Sequence, residues 1–198
     1  MNSTSILTEK SQLAVLASGA SEHGKAVACQ KLVYVAGPES IAPLAALLSH
    51  ETLSDYARSG LEAIGDPGAS QALLEALPEL KGRQLAGAVH SLGVRREKSA
   101  VPALGKLAAD PARGVQSVAI ASLGMIGSPE AAEALKPIIA NGSEPLKSDA
   151  GHAALVAADH LAADGQPGLA RQLVQGLKTV FPKGPIHDAA IHLNDPPE

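Results

Sequence analysis

The stretch AIASLGMIGSPEA, residues 119–131, decides the fold of this chain. It joins the end of an apolar helix to a glycine that stops it, a proline in the turn and the start of another helix. Residues 57–69, ARSGLEAIGDPGA, have the same layout. A helix–turn–helix unit that recurs in this way indicates an architecture of stacked helical repeats.

An apolar anchor residue marks each unit of the repeat. The anchors follow one another at intervals of 28, 31, 31 and 38 residues and are Val33, Leu61, Leu92, Leu123 and Leu161. A small side chain precedes each anchor by four residues, at Cys29, Ala57, Ala88, Ala119 and Ala157. Residues four apart share a helix face, so the small residue lets a neighbouring helix approach closely. A leucine of the next helix follows each of the last four anchors by twelve residues, at Leu73, Leu104, Leu135 and Leu173.

The composition agrees with closely packed helices. Hydrophobic residues make up 45% of the 198 residues, but only 2% are aromatic, namely Tyr34, Tyr56 and Phe181. Alanine (37 residues) and leucine (26 residues) together supply about a third of the chain. These two are the strongest apolar helix formers, whereas strands favour β-branched and aromatic residues. The composition therefore argues against β-sandwiches and β-barrels.

Simple features also argue against several other classes of protein. No stretch approaches 18 uninterrupted apolar residues, so we expect no membrane span. The segment Met1–Ser5 lacks the features of a signal peptide. The cytoplasm is therefore the default location, with export as the open alternative if the chain is an excerpt of a longer protein. The single cysteine, Cys29, excludes an intramolecular disulfide and a thiolate-rich zinc site. A net charge of −4 argues against a general nucleic-acid binder.

These patterns predict an all-α protein, a right-handed α-solenoid of about five helix pairs plus a closing helix. The predicted outer helices cover residues 7–18, 40–48, 69–77, 100–108, 131–140 and 167–180. The predicted inner helices cover residues 22–36, 54–64, 83–94, 112–126 and 146–163. We expect residues 1–181 to form the repeat domain. The proline-containing residues 182–198 are expected to form a tail that is either a linker or an end cap.

The motif Ala-x-x-x-Leu-Gly-x-Ile-Gly-x-Pro-Glu-Ala at residues 119–131 and the period near 31 resemble bacterial HEAT repeats. More narrowly, they resemble the short HEAT-like repeats named after phycobilisome bilin lyases. The resemblance covers about residues 5–180. It implies a curved stack of helix pairs whose inner helices line a binding surface. Most members of this kind are interaction scaffolds, and a minority contribute to enzymes.

The central repeat differs from its neighbours in charge. Residues 81–113 contain only two acidic side chains, Glu97 and Asp110. They contain seven basic side chains, which are Lys81, Arg83, Arg95, Arg96, Lys98, Lys106 and Arg113. This window therefore carries +5, although the whole chain carries −4. The charge is segregated along the sequence, basic at the middle and acidic towards both ends.

The basic window predicts a binding site for an acidic or anionic partner surface. Arginine binds carboxylates and phosphates through paired hydrogen bonds. The candidate binding residues, expected on the concave inner-helix face, are Arg58, Glu62, His90, Arg95, Arg96 and Lys98. The alternative interpretation is a solvated loop whose arginines cap a helix end and pair with nearby acids. Arg58 and Glu62, four residues apart, also fit a simple surface ion pair.

Catalytic and metal-binding motifs are missing from the sequence. It contains no P-loop, no dinucleotide-binding glycine motif, no nucleophile elbow and no zinc-protease motif. Cys29 lies at a small core position and is predicted to be a buried, inert thiol. Asp149 and His152 are three residues apart on one helix, but His152 and His160 lie about 12 Å apart, too far to share one ion. We therefore predict no enzymatic activity, no catalytic residue, no cofactor and no metal site.

Three functions remain open from the sequence. The favoured one is a non-catalytic protein-interaction scaffold that binds an unidentified protein through the inner-helix face. A DNA-binding module is an alternative, but the shortage of aromatic stacking residues and the acidic ends count against it. An accessory role in bilin or other chromophore attachment is suggested only by the resemblance. Neither the partner nor the oligomeric state follows from the sequence.

Overall fold

The computed structural model of the protein describes residues 7–194, which form twelve α-helices and no β-strand. None of these described helices is long and apolar enough to cross a membrane. The chain divides into two compact units, Met1–Ser91 and Leu92–Glu198, and helix α6 begins in the first and ends in the second. The helices of the first unit are α1 (Glu9–Ala17), α2 (Glu22–Val35), α3 (Ile41–Ala45), α4 (Ser54–Ala63), α5 (Pro67–Ala76) and the start of α6 (Gly82–Val94). Those of the second unit are α7 (Val101–Ala109), α8 (Gln116–Ile126), α9 (Pro129–Asn141), α10 (Leu146–Ala163), α11 (Pro167–Val180) and α12 (Pro185–Asn194).

Glycine and proline punctuation sets the helix ends at the motif that decides the fold. Helix α8 ends at Gly127, whose φ of 61° lies in the left-handed region that glycine adopts without strain. The following residue, Ser128, accepts a hydrogen bond from the backbone N–H of Ala131 at 3.2 Å. Pro129 is then the first residue of α9, where its missing N–H costs no helical hydrogen bond. The motif therefore folds as predicted.

The predicted all-α fold of stacked helix pairs is confirmed. All eleven predicted helices are present, and their bounds lie within three residues of the prediction with one exception. The exception is the start of α8, which was predicted at residue 112 but is found at Gln116. A short 3₁₀ turn over Pro111–Arg113 and the left-handed Gly114, with a φ of 67°, intervene. The backbone reversal at Gly114 is the physical reason that the helix cannot begin earlier.

Each unit has two layers of helices. In the first unit, the even-numbered α2 and α4 pack together, and the odd-numbered α3 and α5 do the same. In the second unit, α8 packs against α10, while α9 packs against α7 and α11. The pairs α1–α2, α3–α4, α7–α8 and α9–α10 join the two layers. In each unit separately, we call the odd-numbered helices the outer layer, and we call α2 and α4 in the first unit, and α8 and α10 in the second, the inner layer.

The small residues and anchors of the repeat form the core. The five predicted small positions are all 0% exposed, at Cys29, Ala57, Ala88, Ala119 and Ala157. The last four anchors are also buried, at Leu61, Leu92, Leu123 and Leu161. The next-helix leucines are buried as well, at Leu73, Leu104, Leu135 and Leu173. The repeat spacing thus predicts the packed residues of both units, because it counts turns of helix along a buried face.

The first anchor was assigned one residue too late. Val33 is only half-buried, whereas its neighbour Leu32 is fully buried. On α2 the four-residue pair that faces the core is Ala28 with Leu32, and Cys29 lies beside it. One residue along a helix turns the side chain by about 100°, so Val33 lies at the edge of the packed face.

Residues 185–194, predicted to belong to a tail, form a helix, α12. Helix α12 packs against α11 and α10, with Ile186 and Ala190 buried one turn apart. On α10, a β-carbon at Gly151 would meet the Ile186 side chain at 2.7 Å, so the two helices touch there. Pro185 is the first residue of the helix, a position where proline is tolerated.

Candidate functional site

Arg58 and Glu62, two of the predicted binding residues, belong to a polar network inside the first unit. The Arg58 guanidinium donates to the Glu62 carboxylate at 2.6 Å and to the Ser91 hydroxyl at 3.1 Å. The Ser91 hydroxyl lies 2.5 Å from the same Glu62 oxygen, to which it donates. Ser91 is fully buried, and the two charged side chains are only 20% and 23% exposed. The network therefore links α4 to α6.

Gly87 makes room for this network. A β-carbon at Gly87 would lie 2.9 Å from the Arg58 Nε atom, so a larger residue would displace the guanidinium. The Nε atom itself is buried and has no hydrogen-bond partner within the described residues. Arg83, another basic residue of the central window, pairs with Asp55 and donates to the Glu51 carbonyl at 2.6 Å. His90 is exposed on α6.

Arg96 occupies the position at which the neighbouring repeats carry a glycine. It follows the anchor Leu92 by four residues, as Gly127 and Gly165 follow their anchors, and its φ of 50° is also left-handed. The backbone N–H of Arg96 donates to Gly93 O at 2.9 Å, and that of Glu97 donates to Leu92 O at 3.0 Å. This pair of bonds is the Schellman motif, which ends a helix. The same pair recurs at Gly165, where α10 ends.

The Arg96 side chain joins the ends of two other helices of the second unit. Its Nε donates to the Ile126 carbonyl at 3.2 Å, at the last residue of α8. Its two terminal nitrogens bind the Asp164 carboxylate, just after α10, at 2.7 and 3.3 Å. The Arg96 hydrogen bond holds the pKa of Asp164 below its ordinary value. The arginine therefore caps a helix end and pairs with an acid, as in the alternative interpretation of the central repeat.

The other basic candidates of the second unit differ from Arg96. Lys98 is exposed, and its charge is a minor contributor to the lowered pKa values of Glu130 and Asp164. Arg95 is half-buried and has an interaction of its own. The six predicted residues thus fall into two sets, Arg58, Glu62 and His90 in the first unit and Arg95, Arg96 and Lys98 in the second. Their role in binding an anionic partner remains a prediction.

A groove that the sequence did not predict runs along the inner layer of the second unit. It has a volume of about 370 Å³ and lies between α8 and α10. The lining residues of α8 follow one another at intervals of four and are Ser117, Ala121 and Met125. The lining residues of α10 recur at three- and four-residue intervals and are Asp149, His152, Ala153 and Val156. We call this the inner groove.

Beside the inner groove, the backbones of α8 and α10 come into close contact. A β-carbon at Gly124 of α8 would lie 2.6 Å from the Ala153 carbonyl oxygen of α10. Only glycine permits this approach, because any side chain would overlap the facing backbone. Ala121 adds a small side chain on the α8 side. The inner groove therefore exists because small side chains leave a gap between α8 and α10, whose backbones are in contact.

The two ends of the inner groove differ chemically. Val156 is 42% exposed and Met125 is half-buried, so one end presents apolar surface. Asp149 lies at the other end and is half-buried. His152 bonds through Nδ1 to the Ser148 carbonyl of its own helix at 2.9 Å. Within residues 7–194, no group of three or more histidine, cysteine, aspartate or glutamate side chains is arranged to hold a metal ion.

A second cleft, of about 230 Å³, lies in the outer layer between α9 and α11. It is mainly apolar, and its lining residues include Ile139, Ala140, Leu173 and Gly176.

Cys29, predicted to be a buried thiol, is indeed buried, and its burial raises the pKa of the thiol to about 11. Such a thiol stays protonated at neutral pH and is a poor nucleophile.

The sequence of residues 81–155 matches a family described as HEAT repeats. The matched span covers α6 to α9 and the first half of α10, including most of the residues that line the inner groove. Among curated proteins, none matches the sequence. HEAT repeats are stacked helix pairs, in agreement with the two layers of each unit.

Proposed function

Because residues 81–155 match a family of HEAT repeats and both units consist of stacked helix pairs, we propose that the chain is a non-catalytic interaction scaffold that binds a segment of a partner protein in the inner groove. Stacked repeats bury their cores between neighbouring units and leave long helix faces uncovered. Such a face offers a binding surface without any catalytic group. A minority of related proteins take part in enzymes, and this proposal assigns no such role to the chain.

The observation that carries the proposal is the exposed apolar end of the inner groove. Large apolar side chains that remain exposed in a concave site favour the binding of a complementary surface. Val156 and Met125 supply that apolar surface, and the close contact between Gly124 and Ala153 joins the two helices that form the groove walls. A preformed site avoids part of the ordering cost of binding.

Filling the groove tests the proposal. Short random peptides displayed on phage are selected on the full chain, and the recovered peptides are then titrated against variants. Ala121→Trp places a large ring in the inner groove from an exposed helix position. Ala140→Trp is the matched control, because Ala140 is also an exposed alanine, but lines the outer cleft.

We expect Ala121→Trp to weaken peptide binding at least tenfold, or about 1.4 kcal/mol, whereas Ala140→Trp leaves it unchanged. Both substitutions are at exposed positions, so thermal unfolding should show little change in stability. Equal binding to the wild-type chain and to Ala121→Trp would remove the inner groove from the proposal.

The exposed Lys98 supports a second proposed surface, formed with Arg95, for an acidic partner segment. The test is a double substitution, Arg95→Ala with Lys98→Ala, titrated with a poly-glutamate peptide. Arg96 is left intact because its loss would also release the helix ends that it joins. Arg171→Ala with Lys183→Ala removes the same charge at exposed residues outside the basic window and serves as the control. Duplex DNA replaces the peptide to test the nucleic-acid alternative, and apo-phycobiliprotein with bilin tests chromophore attachment.

A further inference from the structure

We infer that the segment bound in the inner groove is basic and extended, with a lysine or arginine three positions from a bulky apolar residue. The inference rests on the proposed function, since it names the chemistry of the partner that this groove accepts. It follows from the charge of the groove, the uncompensated carboxylate at one end and the distance to the apolar end.

The Asp149 carboxylate lacks a counter-charge. It has no hydrogen-bond or ion-pair partner among residues 7–194, although the residue is half-buried. The residues lining the groove include no lysine or arginine. A carboxylate that is partly removed from water is stabilised by a cation placed beside it. The groove is therefore electrostatically complementary to a positively charged side chain.

The basic groups near Asp149 on the same helix interact with other partners. The Lys147 ammonium lies 5.7 Å from the centre of the Phe181 ring, a cation–π contact. His152 uses its Nδ1 atom for the carbonyl of Ser148. Asp149 also lies in the first turn of α10, where a negative charge is favoured by the helix dipole. The dipole stabilises the charge along the helix axis but leaves the groove side of the carboxylate open to a ligand.

The spacing of the two ends selects the form of the ligand. Asp149 and Val156 are seven residues apart on α10, so they are separated by about 10 Å at 1.5 Å per residue. An extended chain in the polyproline II conformation advances about 3.1 Å per residue with three residues per turn, so side chains three residues apart lie about 9 Å apart on the same side of the chain. A helix is at least about 10 Å across and would place two such side chains seven residues apart. Because α8 and α10 touch at Gly124 and Ala153, the gap between them suits the narrower extended chain.

A change of charge at Asp149 tests the inference. The same displayed peptide library is selected on the wild-type chain, on Asp149→Lys and on Asp149→Asn. Asp159→Lys is the matched control, because it makes the same charge change on an exposed residue of α10 outside the inner groove. Circular dichroism and thermal unfolding verify that each variant is folded. Asp149→Asn keeps the test valid if lysine near the start of α10 destabilises that helix.

We expect the wild-type chain and Asp159→Lys to enrich peptides with lysine or arginine three positions from a large apolar residue. Asp149→Asn should lose the preference for the basic residue, and Asp149→Lys should favour aspartate or glutamate there. For one selected peptide, replacing the basic residue with glutamate should weaken binding to the wild-type chain roughly tenfold and restore binding to Asp149→Lys.

The outcomes separate the inference from the function on which it rests. If Ala121→Trp abolishes binding but the peptides show no basic preference, the groove binds partners and the inference about their charge is wrong. If the basic residue recurs seven positions from the apolar one, the bound segment is helical and the extended form is wrong. If Ala121→Trp has no effect on binding, the proposed function itself fails.

Discussion

Arg96 is a non-glycine residue in a position that favours glycine, and its side chain explains why it is tolerated. The left-handed conformation costs a non-glycine residue about 1 kcal/mol. In compensation, the guanidinium binds the Ile126 carbonyl and the Asp164 carboxylate. Gly127 and Gly165 have no side chain, so neither of them makes contacts of this kind where it ends its helix. In the central repeat, arginine thus takes over the backbone role of glycine and adds a link between helices.

Replacing Arg96 with alanine or glycine separates these two effects. Both variants lose the side-chain contacts, but only alanine keeps the strain of the left-handed conformation. We therefore expect Arg96→Ala to be less stable than Arg96→Gly by about 1 kcal/mol in urea unfolding. Equal stability of the two variants would mean that the backbone at residue 96 relaxes when the guanidinium is removed.

Ser91 and Ser122 make a natural pair, because each precedes an anchor by one residue and both are fully buried. The Ser91 hydroxyl is bonded to Arg58 and Glu62, whereas that of Ser122 has no partner among the described residues. Ser91→Ala should cost about 1–2 kcal/mol of unfolding free energy, since it leaves buried charged groups with fewer bonds. Ser122→Ala should be neutral or stabilising by up to about 1 kcal/mol. Denaturant unfolding measures both, and destabilisation of equal size would contradict the assigned networks.

Glu9 makes the stability of the first unit depend on pH. One carboxylate oxygen accepts from Gly37 N at 2.7 Å, from Ser40 N at 3.0 Å and from the Ser40 hydroxyl at 2.6 Å. The Ser40 hydroxyl bond, aided by the backbone bonds, holds the pKa of Glu9 below its ordinary value, against a smaller effect of burial. A lowered folded-state pKa gives stability that is present above the unfolded-state pKa and is lost as the pH falls through the folded-state pKa.

We therefore expect Glu9→Gln to be less stable than the wild-type chain at pH 7 and the difference to shrink as the pH falls from about 5 to about 3. Thermal unfolding across this pH range measures the difference. A gap that stays constant with pH would show that the carboxylate charge is not what stabilises Gly37 and Ser40.

At the level of the helices, Gly124 sets the contact between α8 and α10. A β-carbon there would lie 2.6 Å from the Ala153 oxygen and 2.8 Å from its α-carbon, both backbone atoms that cannot move cheaply. Gly176 of α11 is the matched control, because a β-carbon there would meet nothing within 4 Å. The two glycines lie inside helices but differ in their surroundings.

Alanine at these two positions should change stability in opposite directions. Gly176→Ala should stabilise the chain by about 0.5–1 kcal/mol through helix propensity alone. Gly124→Ala should destabilise it by about 1–3 kcal/mol, because overlap with α10 outweighs the same propensity gain. Calorimetry of both variants tests this, and stabilisation by Gly124→Ala would show that α8 and α10 do not approach so closely.

The helices were predictable because the signals for them are local. Proline and glycine at Pro129 and Gly127 act on the residues beside them, and the spacing of Ala119 and Leu123 reports a buried helix face directly. Residues 185–194 were predicted only as part of a proline-containing tail, and the contact between Ile186 and Gly151 shows that they form a packed helix. Val33 was misassigned because neighbouring apolar residues at the edge of a stripe look alike in sequence.

The inner groove and the use of the basic residues were not predictable, since they depend on contacts between repeats. Asp149 and His152 were recognised as helix neighbours, but nothing local indicates that they line a groove together with Met125 of another helix. The residues that line the groove recur at three- and four-residue intervals outside the anchor positions, and this spacing was the signal for the groove that the sequence offered. Likewise, the net charge of +5 in the central window does not reveal which acidic residues its arginines and lysines pair with, since Arg96 pairs with Asp164, 68 residues away.

For the whole molecule, the shortage of aromatic residues affects both packing and binding. The cores of both units consist of leucine, alanine and other aliphatic side chains. Of the three aromatic residues, Tyr34 is 81% exposed and Tyr56 is also exposed, so neither is buried in the first unit. In the second unit, the exposed apolar surface of the inner groove comes from Met125 and Val156. A scaffold of this composition binds through the shape and charge of a groove between helices.

The most direct test of this account is an NMR titration of the isotope-labelled chain with a peptide selected on it. The account predicts that the largest chemical-shift changes occur at the residues lining the inner groove, above all Ala121, Met125, Asp149 and Val156, and that Ala121→Trp abolishes them. Shift changes concentrated at His90, Arg95 and Lys98, or at the outer cleft around Gly176, with none in the inner groove, would contradict it.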